Sequence, residues 1–314
     1  MEDNELGYSG VKCKEVIKAD KSISDKSIIN IPRRWSQLSY AGLKRVPSAE
    51  EPNLSTWSTY FLKRDEKGRF IDEEGNIIAF SLREPNSSIN FEGEQLKIVE
   101  ETLKNLTPEQ IAIAKYWGDG PPTKQFTPVI DKLIDTYNVS AGRASRILAA
   151  VQAAINDAAV VTWYFKYLWD IARPNQLNQN LATVLCTPKH PTYPAGHAVI
   201  AGCAEKVLSY FFQGEKKRLK ELAEECAESR IFAGVHFPID CTEGMRLGRQ
   251  IGTIIVNALD KQRDGNGIKI DYPITENKHA ILPPPPYKQV IPYQRSGKCD
   301  SKIIFRKSKN LSKA

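Results

Sequence analysis

Three stretches of the chain hold residue types that together could handle an oxygen-rich anion. The first is Lys166-x6-Arg173-Pro174, with Trp163 just ahead of it. The second is Tyr193-Pro194-Ala195-Gly196-His197, which runs straight into the apolar stretch AVIAGCAEKVL. The third is Ser229-Arg230-x5-His236-x3-Asp240. Histidine is the side chain that changes charge near neutral pH. Three of the chain's four histidines, His190, His197 and His236, fall in this region, and His279 lies apart.

Each stretch serves a distinct chemical need. A tetrahedral or bipyramidal oxyanion requires several fixed cations, backbone donors and a proton carrier. Lys166, Arg173 and Arg230 supply positive charge. On one helix, residues seven apart project about 20° from a common line, so Lys166 and Arg173 are expected to face one pocket, with Trp163 a turn earlier. Gly196 at a helix start allows close backbone approach and offers amide donors at the positive end of the dipole. His197 and His236 supply acid–base and nucleophile or ligand chemistry. Asp240 either orients the His236 ring or caps the following helix through the amides of residues 242–243. Taken singly, each stretch also has an ordinary structural meaning: a solvated basic stripe, a glycine turn or a helix cap.

The elements that must position these residues read as helices. Gln95 to Leu106 is amphipathic. Thr107-Pro108-Glu109-Gln110 is a capping box with proline at the first helical position, opening a helix to about Trp117. Thr127 to Tyr137 is the next helix, after a loop at Gly118–Pro122. Ser140 caps a long helix to about Asp170, and Pro174 stops it. Residues 175–196 form a loop with Pro188, Pro191 and Pro194. Further helices are expected at about 197–212, 215–231 and 240–261. Ahead of them, residues 69–82 read as a short hairpin around Glu74-Gly75-Asn76. The expected organisation is an irregular N-terminal arm with a hairpin over 1–90, a helical oxyanion-binding domain over 91–262, and a polar, Pro-rich and basic tail over 263–314.

Composition limits the alternatives. The chain has 314 residues, 41% hydrophobic and 26% charged, which excludes wholesale disorder and collagen-like repeats. Its 44 basic and 37 acidic residues leave a net charge of +7. That mild, unclustered excess suits an anionic substrate and gives no sign of a nucleic-acid partner. The most apolar stretch, Ile147 to Phe165, carries Gln152, Asn156 and Asp157 in its middle, so it reads as a core helix without a membrane role. The six scattered cysteines form no CxxC pair, and the acidic N-terminal stretch lacks an apolar leader. Free thiols and a cytoplasmic location are expected.

In order, these residues resemble the signature K-x6-R-P, P-S-G-H, S-R-x5-H-x3-D. That signature marks the superfamily joining vanadium-dependent haloperoxidases and type 2 phosphatidic acid phosphatases. The likeness is close from Lys166 to Asp240, and the string SRIFAGVHFPID is nearest the haloperoxidase branch. It implies an all-α helical bundle of the vanadium haloperoxidase and acid phosphatase type, with the small N-terminal β-hairpin beside it. It implies vanadate held by Lys166, Arg173, Gly196, His197, Arg230 and His236, with His236 as the axial nitrogen ligand. His197, His236 and Asp240 take the catalytic roles, and Trp163 and His190 line the halide pocket. A histidine at position 190 favours bromide or iodide over chloride. The substrates would be hydrogen peroxide and a halide, with a homodimer possible. The alternative is a phosphomonoesterase that forms a phosphohistidine at His236 and uses no cofactor. A third reading is a non-catalytic anion-binding protein. One departure stands out: Ala195 replaces the signature serine, whose hydroxyl bonds the anion. Losing one charge-assisted hydrogen bond costs about 1.5–3 kcal/mol, or roughly ten- to hundredfold in affinity.

Overall fold

The computed structural model describes residues 31–292 and 299–304. The first 30 residues and the basic end of the chain lie outside them, so the readings for those stretches have no structural counterpart here. Two short strands, β1 (Lys63–Arg64) and β2 (Phe70–Ile71), pair antiparallel with Lys63 opposite Ile71. Among the described residues eight α-helices follow: α1 (Leu96–Lys104), α2 (Pro108–Gly118), α3 (Pro122–Thr136), α4 (Ala141–Trp169), α5 (Pro174–Leu177), α6 (Gly196–Phe211), α7 (Lys216–Phe232) and α8 (Pro238–Lys261). The described residues are therefore mainly helical, with one small sheet.

Local chemistry explains most of the boundaries. The Thr107 hydroxyl accepts from the Gln110 amide at 3.1 Å and the Gln110 side chain returns the bond at 3.0 Å, closing the capping box at the start of α2. Helix α3 begins five residues before the expected start at Thr127, because Pro122 sits in its first turn, where a missing N–H costs nothing. The sheet also differs from expectation. Its strands flank the Asp65–Arg69 turn, while the turn at Glu74-Gly75-Asn76 adds only a single bridge between Ile71 and Ile77. In both turns an aspartate side chain, Asp65 or Asp72, collects backbone N–H groups and fixes the bend.

Helix α6 lies at the centre, packed against α4, α7 and α8. Its contact with α8 is the closest, and glycines make it possible. A Cβ at Gly248 would lie 2.1 Å from the Val199 carbonyl oxygen. At Gly244 it would lie 2.9 Å from that of Ala195, and at Gly252 the same distance from that of Cys203. The four-residue spacing puts all three on one face of α8. Backbone meets backbone along this seam, which locks the start of α6 to the start of α8.

Helix α4 is long and apolar enough to cross a membrane by length and composition. Its polar residues nevertheless have protein partners. The fully buried Asp157 carboxylate accepts from the Tyr60, Phe61 and Leu62 amides at 2.8–3.0 Å. Asn156 donates to the Ser58 carbonyl and Gln152 to Thr127. The N-terminal arm is thus held along α4 by buried backbone bonds.

One expectation about the cysteines fails. Cys186 and Cys299 form a disulfide with their Cα atoms 5.5 Å apart, while Cys203, Cys226 and Cys241 are free and buried. Sequence spacing gave no hint, because 113 residues separate the pair.

The α6–α8 seam predicts a contrast between two glycines. Gly248→Ala should cost about 1–3 kcal/mol in urea unfolding by overpacking against the Val199 backbone. Gly142→Ala, in the open first turn of α4 with nothing within 4 Å, should stabilise by about 0.5 kcal/mol.

Candidate oxyanion site

Lys166 stands near the C-terminal end of α4, and Arg173 caps α5. They do not share a helix as the spacing predicted. Helix α4 stops at Trp169, Asp170 takes a left-handed conformation (φ 53°), and the chain runs extended to Arg173. Pro174 disfavours helix at the residue before it, which explains the break. The cations still converge, through tertiary packing. The turn between them is clamped by the arm: Trp35 N–H donates to the Asp170 carbonyl, and Ala172 N–H to that of Arg33. Gln176 donates to the Trp35 and Leu38 carbonyls.

Both cations are fully buried, and their partners are neutral. The Lys166 ammonium donates to the Pro191 and Thr192 carbonyls at 2.7 and 2.9 Å. The Arg173 guanidinium donates to the His190 and Val235 carbonyls at 2.8 and 2.7 Å, and approaches His190 Nδ1 at 3.1 Å and His236 Nε2 at 3.3 Å. Burial, followed by the charge of Arg173, holds the Lys166 ammonium well below its ordinary value. Arg230, on α7, donates to Ser229 and to the Ala114 carbonyl. It also lies against Gly118, where a Cβ would be 2.8 Å from the guanidinium and 2.1 Å from Leu185 Cδ1.

The imidazoles face the same place. His236 Nδ1 lies 3.0 Å from Asp240 Oδ2 and 3.0 Å from Thr192 Oγ1, while Nε2 faces Arg173. Arg173 can only donate, so Nε2 carries the lone pair and Nδ1 the proton. His197, in the first turn of α6, directs Nε2 at the Trp117 carbonyl 3.0 Å away. That carbonyl can only accept, so Nε2 holds the proton and Nδ1 is the basic atom. The His190 ring packs against Trp163 with centroids 4.7 Å apart. Gly196 opens α6 beside Lys166 and Trp163. A Cβ there would sit 3.8–3.9 Å from both, so it points into the group without clashing. Ala195 gives α6 no side-chain cap, and its own N–H goes to the Asp240 carbonyl at 3.0 Å, tying the second stretch to the third.

Asp240 does both jobs the sequence offered, but with a different capping partner. Its Oδ2 meets the His236 ring and accepts from the Phe237 amide at 2.9 Å; the amides of residues 242–243 take no part. Burial pushes its carboxyl up to about 6, against the opposing pull of the Thr192 and Phe237 hydrogen bonds and the nearby cations.

The structure therefore brings together Lys166, Arg173, Gly196, His197, Arg230, His236, Asp240, Trp163 and His190. Sequence reasoning missed Thr192, Tyr40 and the carbonyls of Trp117 and Val235. Tyr40 is fully buried, with its hydroxyl between Trp35 and the Pro188 carbonyl and beside Arg173. Only Thr192, a hydroxyl immediately ahead of the second stretch, left any signal. Among the described residues no group of His, Cys, Asp and Glu is arranged to hold a bare cation. The surplus of buried positive charge instead calls for an anion.

Surroundings that exclude water, together with Lys166, Arg173 or Arg230, hold His190, His197 and His236 well below the ordinary imidazole value, hence neutral in the fold. Below about pH 6.5 the unfolded chain gains a proton at each and the folded chain does not. Stability should be greatest above that point and fall as the pH drops through it, by up to about 1.4 kcal/mol per pH unit for each imidazole. Asp240 acts oppositely between about pH 6 and 4, because there the fold binds a proton that the unfolded chain lacks, offsetting one imidazole. Urea midpoints in anion-free buffer should fall from about pH 7.5 to 5.5; a level midpoint would mean the rings are charged in the fold.

The sequence model of the PAP2 superfamily matches residues 146–264. No curated protein matches the chain in sequence. Among solved structures, a bacterial vanadium-dependent iodoperoxidase superposes with a TM-score of 0.54 at 20% identity, over 70% of this chain and 60% of that one. The apo form of a bacterial vanadium-dependent chloroperoxidase gives 0.58 at 13% identity, over 74% and 63%. The holo form of such a chloroperoxidase gives 0.54 at 14%, over 81% and 64%. The chain thus spans less than two thirds of each of these proteins, and at such identities the likeness is one of fold. Every cation and imidazole of the cluster falls inside the matched stretch, so residues 146–264 form a PAP2 superfamily domain, set in the helical fold that the vanadium-dependent peroxidases also use.

Proposed function

We propose that this site is a vanadate-dependent peroxidase centre that oxidises bromide or iodide with hydrogen peroxide to the hypohalous acid. The observation that carries this reading is a pair of fully buried cations with only neutral hydrogen-bond partners, one of which, Arg173, approaches the Nε2 lone pair of a neutral His236. Buried charge of this kind is costly unless an anion compensates it. Vanadate fits: Lys166, Arg173 and Arg230 would hold its oxygens, the Gly196 amide would add a donor at the start of α6, and His236 Nε2 would supply the nitrogen ligand. When bound, vanadate supplies a Lewis acid that activates peroxide without changing oxidation state.

The chain's own residues account for the remaining chemistry. Arg173 and Lys166 keep their positions without the anion through carbonyl acceptors, so little reorganisation accompanies binding. His197, with Nε2–H held by the Trp117 carbonyl, presents Nδ1 to take a proton from hydrogen peroxide and return it to a departing oxygen. Trp163 and His190 form an aromatic wall beside Arg173 where a soft halide can approach.

Protein loaded with orthovanadate should halogenate monochlorodimedone with peroxide and bromide or iodide, and His236→Ala should abolish it. No vanadate-dependent turnover of either halide would end this reading. Aryl phosphate hydrolysis blocked by vanadate would instead assign the same residues to a phosphatase using His236 as nucleophile. A second measurement concerns Ala195. Restoring a hydroxyl with Ala195→Ser should tighten vanadate binding roughly tenfold or more by calorimetry.

A further inference from the structure

The Thr192 hydroxyl has no part in the chemistry above, yet it touches both residues that set the state of the nitrogen facing the anion. Thr192 is fully buried, and its backbone is pinned on both sides. Its N–H donates to the Ile171 carbonyl at 3.0 Å, and its own carbonyl accepts from Lys166 at 2.9 Å. Its Oγ1 donates a short hydrogen bond to Asp240 Oδ2 and lies 3.0 Å from His236 Nδ1.

The hydrogen inventory at this junction has one solution. A hydroxyl carries one proton and two lone pairs, and an ionised carboxylate can only accept. The Thr192 proton is therefore committed to Asp240, and toward Nδ1 the hydroxyl can only accept. Nδ1 faces two acceptors, Thr192 Oγ1 and Asp240 Oδ2, so it must bear the proton and the lone pair lies on Nε2. The carboxylate itself is held on one oxygen alone, since Asp240 Oδ1 has no hydrogen-bond partner. Without the hydroxyl, Oδ2 would keep only the Phe237 amide and the imidazole.

We propose that Thr192 is a positioning residue: its hydroxyl holds Asp240 Oδ2 and fixes the Nδ1–H tautomer of His236, aiming the Nε2 lone pair at the bound anion. Through its carbonyl the same residue sets the place of Lys166, so it registers the first and third stretches against each other. The inference rests on reading His236 as the nitrogen that meets the anion, whichever reaction follows.

The test uses Thr192→Val, which keeps the shape and removes the hydroxyl, and Thr192→Ser, which keeps the hydroxyl. Inorganic phosphate is the probe, bound by calorimetry at neutral pH, so no turnover is needed and a failed peroxidase assay leaves the result readable. Thr192→Val should weaken phosphate binding roughly ten- to hundredfold, the usual effect of losing a group that orients a ligand, and Thr192→Ser should restore it to within about threefold. Proton–nitrogen spectra of histidine-labelled protein, with His236→Asn for assignment, should show the proton on Nδ1 in the wild type and in Thr192→Ser. A wild-type proton on Nε2 overturns the proposal whether or not the valine variant folds. Unchanged phosphate affinity in folded Thr192→Val overturns it as well, as does Thr192→Ser losing binding as fully as Thr192→Val.

Discussion

Buried positive charge with no carboxylate in hydrogen-bond contact is the constraint around which this site is arranged. Lys166 and Arg173 are fully buried and lean on carbonyl oxygens and imidazole nitrogens. The one acid at the site, Asp240, is engaged with His236, Thr192 and the Phe237 amide. A fold that only needed stability would remove such cations or pair them. Keeping them dry and prearranged makes sense if an anion completes the charge balance; burial, aided by the same cations, holds the three histidines neutral.

The scaffold supplies that arrangement by bringing distant segments into register. Glycines of α8 let its backbone touch that of α6, so the loop entering α6 and the start of α8 meet at the bond from Ala195 to the Asp240 carbonyl. The N-terminal arm pins the Asp170–Gln176 turn that carries Arg173. The segment 299–304 braces the loop ahead of His190, through Lys302 backbone bonds to Ala41 and Thr183, the Cys186–Cys299 disulfide and the Lys189–Asp300 ion pair. Segments with no recognisable motif thus hold the motif-bearing loop in place.

Ala195 and Thr192 show how a single loop divides its work. Position 195, where the signature this chain resembles has serine, carries no hydroxyl here. The hydroxyl at Thr192 cannot substitute for it, because its proton is committed to Asp240. On the proposed reading an anion would rely on the cations, the Gly196 amide and the imidazoles, while the Thr192 hydroxyl contacts Asp240 and His236.

Much of this was legible in the residues themselves. Helical periodicity, the capping box at Thr107 and the prolines marked most helices to within a residue or two, since those signals act over one turn of chain. The three motif stretches named the cations, the glycine and the imidazoles, because such chemistry needs particular residue types. Sequence could not tell how they meet. Lys166 and Arg173 do not lie on one helical line as their spacing suggested: the helix ends at Asp170, as expected, and the arm clamps the turn that carries Arg173. Nor could it reveal Tyr40, the Trp117 and Val235 carbonyls or the Cys186–Cys299 pair, and Thr192 showed only as a hydroxyl beside the second stretch. Their roles come from contacts across tens to more than a hundred residues, and backbone carbonyls carry no sequence signature at all. Residue type determined what chemistry was available; only tertiary packing, by excluding water and fixing distances, decided that it would be gathered in one place.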